Sequence, residues 1–245
     1  MNSSNPTLSP AVFANEASTG KETMTLQGAI NKSAILLGLL LLSAFFVWQK
    51  ATVNPAAAMP WMIGGLIAGL VLSLVTCFKH VWSPVTAPLY ALAEGLVLGA
   101  VSAFYEAQFN GIVFQAVLLT SGTLMGMLAL YTMRIIQPTR KFMLGVMAAT
   151  GGIALTYLIG IVLSFFGVNM SFLYGNGLFG IGFSIVVVIV AALNLIMDFA
   201  TIEQGVQSRA PKYMEWYAAF GLLVTLIWLY LEILRLLSKF AGRRN

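Results

Sequence analysis

Apolar residues fill this chain in long unbroken runs, without strand-like alternation. From Ile30 onward, seven stretches each reach the ~20 predominantly apolar residues that a membrane-crossing helix needs. They cover about 30–49, 60–78, 86–105, 112–133, 142–166, 177–200 and 213–238. The breaks between them carry turn chemistry or charge: Asn54-Pro55, Ser83-Pro84, Asn110-Gly111, Pro138 to Lys141, Asn169 with Gly175 to Gly177, and Ala210-Pro211. These connections are short and leave no room for a soluble catalytic domain. The pattern predicts an all-α membrane protein, a seven-helix bundle over 29–245. A polar stretch, 1–28, precedes it and reads as a flexible tail. The first run, Ile30 to Trp48, is too long for a signal-peptide core.

Composition removes the soluble alternatives. Only 9% of the 245 residues are charged, too few to cover a water-facing surface, and 59% are hydrophobic. The one cysteine, Cys77, permits no internal disulfide. The one histidine, His80, permits no His-cluster metal site and reads as an interfacial loop residue. Lys and Arg are scattered between apolar runs, which excludes a nucleic-acid surface despite the net charge of +5. No cofactor is implied, and the bilayer is the first partner.

Small residues recur at spacing four: Gly65 and Gly69, Gly95 and Gly99, Gly122 and Gly126. Such spacing lets helices approach closely in lipid, so all three pairs are expected at helix contacts. Charge sets the orientation. With the N-terminus inside, inner segments hold Lys21, Lys32, Lys79, Arg134, Arg140, Lys141, Arg209 and Lys212, while the outer loops between helices hold only Lys50. The positive-inside rule makes the N-terminus cytoplasmic. Seven full crossings then put Lys239, Arg243 and Arg244 outside. Either the last segment does not fully cross or this tail is an exception.

Acids inside apolar runs carry the candidate chemistry. Glu16 and Glu22 lie in the tail, and Glu106, Glu203 and Glu215 near helix ends where water reaches. Glu94, Asp198 and Glu232 adjoin or interrupt the runs. A charge at mid-bilayer costs at least ~2.5–3.5 kcal/mol, so such groups face the interior and often mark an ion or proton route. Asp198 is the only aspartate. If it approaches Glu232, the two share one proton and form a pH-sensitive latch, or an oxygen site for Ca²⁺. A simple hairpin opposes this, because the two depths differ by roughly 16 Å at the helical rise per residue. They meet if "PKYMEWYAAF" lies along the surface, anchored by Lys212, Tyr213, Trp216 and Tyr217, or continues outside the bilayer. This predicts a break or kink between about Ala218 and Gly221, and a straight helix from Pro211 to Leu237, wholly inside the membrane, rules the pairing out. Competing readings stay open. Glu232 and Arg235, three residues apart in "WLYLEILRLL", can neutralise each other. Asp198 can be a helix-end residue, and Glu94 a hydrogen-bonding glue between helices.

The stretches "APLYALAEGLVLGAVSAFYE", "GIVFQAVLLT", "VMAATGGIALTYLIG" and "APKYMEWYAAFGLLVTLIWLYLEILRLL" resemble the bacterial branch of the Bax inhibitor-1/YccA-like family, from about residue 25 to the end. The resemblance implies a seven-helix bundle with the last helix central, set in the bacterial inner membrane. It also implies a pH-sensitive calcium leak and a proton-sharing carboxyl pair, with Asp198 and Glu232 at its two positions. The second acid is Glu where relatives carry Asp. Met62 to Phe78 lacks the acid and Arg that relatives often place in the second helix. Glu94 is the candidate substitute for that acid, and Arg235 the candidate charge partner. A membrane-anchored protease is the partner class that some relatives imply. Enzyme readings lack their residues. A diaspartyl protease needs a second aspartate, a serine protease built on Ser184 needs a base, and a retinal site needs a lysine deeper than Lys239.

Overall fold

The structure, a computed structural model, describes residues 22–167, 175 and 177–243. Glu16, Lys21, Asn169, Arg244 and most of the polar tail lie outside the described residues. Seven α-helices are present among them: α1 Leu26–Val53, α2 Met59–Phe78, α3 Ser83–Gln108, α4 Ile112–Thr132, α5 Arg140–Phe165, α6 Leu178–Gln207 and α7 Met214–Gly242. Two short 3-10 turns, Pro55–Ala58 and His80–Trp82, lead into α2 and α3. Each long helix, with its adjoining turn where there is one, is long and apolar enough to cross a membrane. The chain is thus a multi-pass membrane protein. Its outward surface is apolar, with Leu42, Phe114 and Leu158 exposed by 68%, 69% and 58%. Such a surface suits lipid, where only helices that satisfy their own backbone can stand.

Local chemistry sets the helix ends. Thr25 caps α1 by accepting the Gly28 N–H at 3.0 Å, and Asn54 caps the following turn by accepting Ala56 N–H at 3.1 Å. Prolines stand in the first turn of α2 and α3, where no N–H partner is lost. Gly111, at φ 81°, opens α4, and Thr139 caps α5. Arg209, at φ 52°, closes α6 in a left-handed turn, with Ala210 N–H donating to Gly205 O at 3.1 Å.

The chain divides into two compact units. The first is Met1–Asn110 with Asp198–Val224, and the second is Gly111–Met197 with Thr225–Asn245. In the first unit α3 packs on α1 and α2 through glycines. A Cβ on Gly95 or Gly99 would strike the α1 backbone at Leu40 or Ala44, and one on Gly65 would meet Ala93 O at 2.6 Å. Thr76 and Thr86 join α2 to α3 by a buried hydroxyl bond of 2.7 Å. Val47, Ala51, Ala58 and Ala100 form an apolar cluster. Thr23 pairs with Pro211, and Met24 N–H donates to Ala210 O at 2.7 Å, so residues 22–25 lie against the α6–α7 turn. In the second unit α5 and α6 pack through Met143, Val146 and Met197, and through Ile153, Val187 and Val190.

Three expectations change. Gly122 and Gly126 have nothing within 4 Å of an added Cβ, so this pair serves no contact among the described residues. Spacing alone does not say which face of α4 meets a neighbour. The predicted break between Ala218 and Gly221 is absent, since α7 runs unbroken from Met214 to Gly242. Tyr217, Ala218, Ala219 and Phe220 are all 0% exposed, so packing on every side outweighs the weak helix propensity of Gly221. For the same reason Met214 to Phe220 does not lie along the surface. A 29-residue helix is about 43 Å long, more than the ~30 Å that a hydrocarbon core spans. The last helix is long and apolar enough to cross a membrane. Burial rises from 11% of the most apolar window in α4 to 56% in α7, the most enclosed of the seven.

Substituting Gly99→Ala should cost about 1–3 kcal/mol through overpacking against Ala44, while Gly122→Ala should be neutral or better. Thermal unfolding of both variants in detergent checks the contrast. Equal midpoints would show that α1 and α3 do not meet at Gly99.

Candidate functional site

Glu232 sits on α7 at 2% exposure, and its partners come from the same unit. Arg235, one turn later, places Nη1 2.8 Å from Oε1 and 3.0 Å from Oε2. The Tyr157 hydroxyl, on α5, donates to Oε1 at 2.9 Å. Arg235 Nη1 also donates to the Tyr157 oxygen at 2.7 Å, and its guanidinium lies 5.2 Å from that ring's centre. The three groups form a closed triangle around one carboxylate. The neutralising reading of Glu232 and Arg235 therefore holds, with a phenol added.

Asp198 lies on α6 at 1% exposure, so the helix-end reading, which placed it near water, does not hold. It belongs to the first unit and Glu232 to the second. Glu94, on α3 in the first unit, packs its carboxylate against α2, where Oε1 would lie 2.8 Å from a Cβ on Gly69. The Tyr90 hydroxyl hydrogen-bonds to it one turn back. That bond lies within α3 and does not join two helices. His80 lies edge-on to the Tyr217 ring at 4.6 Å, in the turn before α3.

Two charged groups expected near water are buried. Glu215, 1% exposed, accepts Thr25 N–H and the Thr25 hydroxyl, each at 3.0 Å, and pairs with Lys32 at 3.1 Å. Its carboxylate fills the space beside Gly28 that any larger residue would need. A negative group thus stands at the N-terminus of α1, where the helix dipole favours it. Lys239, 4% exposed, donates to Gly180 O at 2.8 Å and to Ser184 Oγ at 2.9 Å on α6. One of the three cations of the supposed outer tail is therefore held inside the protein. Sequence reasoning missed Lys239; the available signal was its place two turns after Glu232 on one helix face. No local signal marked Glu215 or Tyr157.

Among the described residues no three His, Cys, Asp or Glu side chains gather as a metal site.

These features define a class: a polytopic helical membrane protein with charged groups enclosed between its spanning helices. The family model described as Bax inhibitor 1 like matches residues 5–242, and the chain belongs to that family. The match begins well before residue 25 and takes in most of the N-terminal segment. No curated protein and no solved structure matches the chain.

Removing Arg235 leaves a buried carboxylate with only a phenol. Arg235→Met should cost up to about 3–5 kcal/mol, reduced by the remaining Tyr157 bond, and Glu232→Gln with Arg235→Met should cost less than Arg235→Met alone. Detergent unfolding of both variants checks the order. A double variant less stable than the single one would contradict the ion pair.

Outside the spans, Lys212 holds the Glu22 carboxyl below its ordinary range, first by a hydrogen bond and then by charge. Glu22 in turn holds the Lys212 ammonium above its own range by the same two causes. The acid's contribution is present above its unfolded value and fades as pH falls through the lowered native one. The lysine's is present below its unfolded value and fades as pH rises through the raised native one. The exposed pair is thus intact at neutral pH. Glu22→Gln should speed hydrogen exchange at Met24 and Lys212 near neutral pH, and leave it unchanged in acid below the native carboxyl's range. An equal acceleration at both pH values would assign the effect to something other than charge.

Proposed function

We propose that this chain is a pH-sensitive cation leak of the bacterial inner membrane, with its N-terminus cytoplasmic and calcium as its cargo. Asp198 and Glu232 are its titrating gate groups. One observation carries the reading: Glu232 is a carboxylate enclosed in a spanning helix and held by a guanidinium and a phenol. Hydrocarbon-facing packing has no use for such a group, whereas an ion route does. Asp198, equally enclosed on the preceding helix, is the second acid. The family membership supports the same reading.

In this mechanism Arg235 fills the cation position at Glu232 while the route is shut. An entering cation competes with a tethered guanidinium for the same two oxygens. A proton on Glu232 removes the charge that holds Arg235 and frees the side chain to move.

The test is calcium flux into liposomes holding the purified chain, from about pH 6 to about pH 8, for wild type and Asp198→Asn. The expected result is a flux that varies with pH and a profile shifted by the substitution. A profile unaltered in the variant would remove Asp198 from the gate. No flux at any pH, beside a working control channel, would replace the leak with a partner-binding role.

A further inference from the structure

The interior of the second unit, between α5, α6 and α7, is layered. At one end Lys239 binds Gly180 O and Ser184 Oγ. Next comes the Tyr157–Glu232–Arg235 triangle. Then the polar groups stop. Ile153, Val187 and Val190 are 7%, 0% and 7% exposed, and Trp228 and Phe183 pack against them. Beyond that layer Asn194 Nδ2 donates to the Thr150 hydroxyl at 2.9 Å.

The helices carry this layering in register. On α6, Ser184, Val187, Ala191, Asn194 and Asp198 are spaced three and four residues apart and share one face. All five are buried, at 1%, 0%, 0%, 6% and 1% exposure. On α7, Thr225, Trp228, Glu232, Arg235 and Lys239 repeat that spacing. On α5, Ile153 lies between Thr150 and Tyr157. Each helix therefore has an interior polar line, and each line is interrupted at the same layer. Ser184 and Asn194 are about 15 Å apart along α6.

We infer that Ile153, Val187, Val190 and Trp228 form a hydrophobic gate across a polar path between α5, α6 and α7. This inference rests on the leak reading and deepens it. Polar groups on the inner faces of spanning helices mark ion routes. An apolar constriction between two polar stretches stops ions by excluding water, without any plug of charge. Ordinary core packing accounts for the valines but not for the polar layers on either side. Leucine at Thr150 and Asn194 would fill the same interior with no hydrogen bond to satisfy.

A polar side chain placed in the gate should wet it. Val187→Thr keeps the shape of valine and adds a hydroxyl, and Val187→Asn adds an amide. Val186→Thr is the control, since Val186 is 54% exposed on the outward face. Each variant is reconstituted in liposomes carrying a calcium dye, after its elution and unfolding midpoint are matched to wild type. The expected result is a several-fold rise in flux for Val187→Thr at the pH where wild type leaks least, a larger rise for Val187→Asn, and none for Val186→Thr. If Val187→Asn fails to fold, Val187→Thr carries the test. A wild type that leaks with pH while the folded Val187 variants leak identically overturns the gate and leaves the leak reading standing. A wild type silent at every pH beside a leaking Val187 variant supports the gate and overturns the pH-sensitive leak. Silence in all of them overturns both.

Discussion

Glu232 brings a full charge into a helix built for hydrocarbon, at a cost of at least ~2.5–3.5 kcal/mol if left alone. Arg235 at 2.8 Å offsets that cost, and the Tyr157 hydroxyl takes a further share. The positions of three helices follow from this requirement. Turning α7 about its axis would take Arg235 off Tyr157 on α5 and Lys239 off Ser184 on α6. The packing of Trp228 against the cluster of Ile153, Val187 and Val190 would go with them. Apolar packing against lipid-like neighbours is non-directional, so it cannot fix rotation as the charges do. The same device recurs in the first unit. There Glu215 holds the start of α7 to Thr25 and Lys32 at the start of α1.

Much of this was legible in the sequence. The seven helices were, because ~20 apolar residues in a row have one economical solution in a bilayer. Glu232 with Arg235 was, because spacing three on a helix brings side chains together. The partners that chain separation hides were not. Glu215 and Thr25 are 190 positions apart, and Tyr157 and Glu232 are 75 apart. Nothing local predicts either meeting. Glycine spacing was equally silent about direction. Gly95 and Gly99 abut α1, while a Cβ on Gly122 or Gly126, with the same spacing, would meet nothing among the described residues. The break expected at Gly221 failed for a related reason. Local propensity is a weak prior, and the four residues before Gly221 are fully packed.

Neither α6 nor α7 contains proline. Sharp helix kinks arise mainly at proline, at glycine or serine pairs, or at π-bulges. Along its polar face from Thr225 to Lys239, α7 has none of these, so that stretch moves as a rod. Trp228, Glu232, Arg235 and Lys239 share one face of that rod. A rotation that withdraws Trp228 from the apolar cluster must also withdraw Arg235 from Tyr157. In the proposed leak, the charge cluster and the apolar layer are therefore one moving part. A proton that loosens the first loosens the second, with no separate coupling element between them.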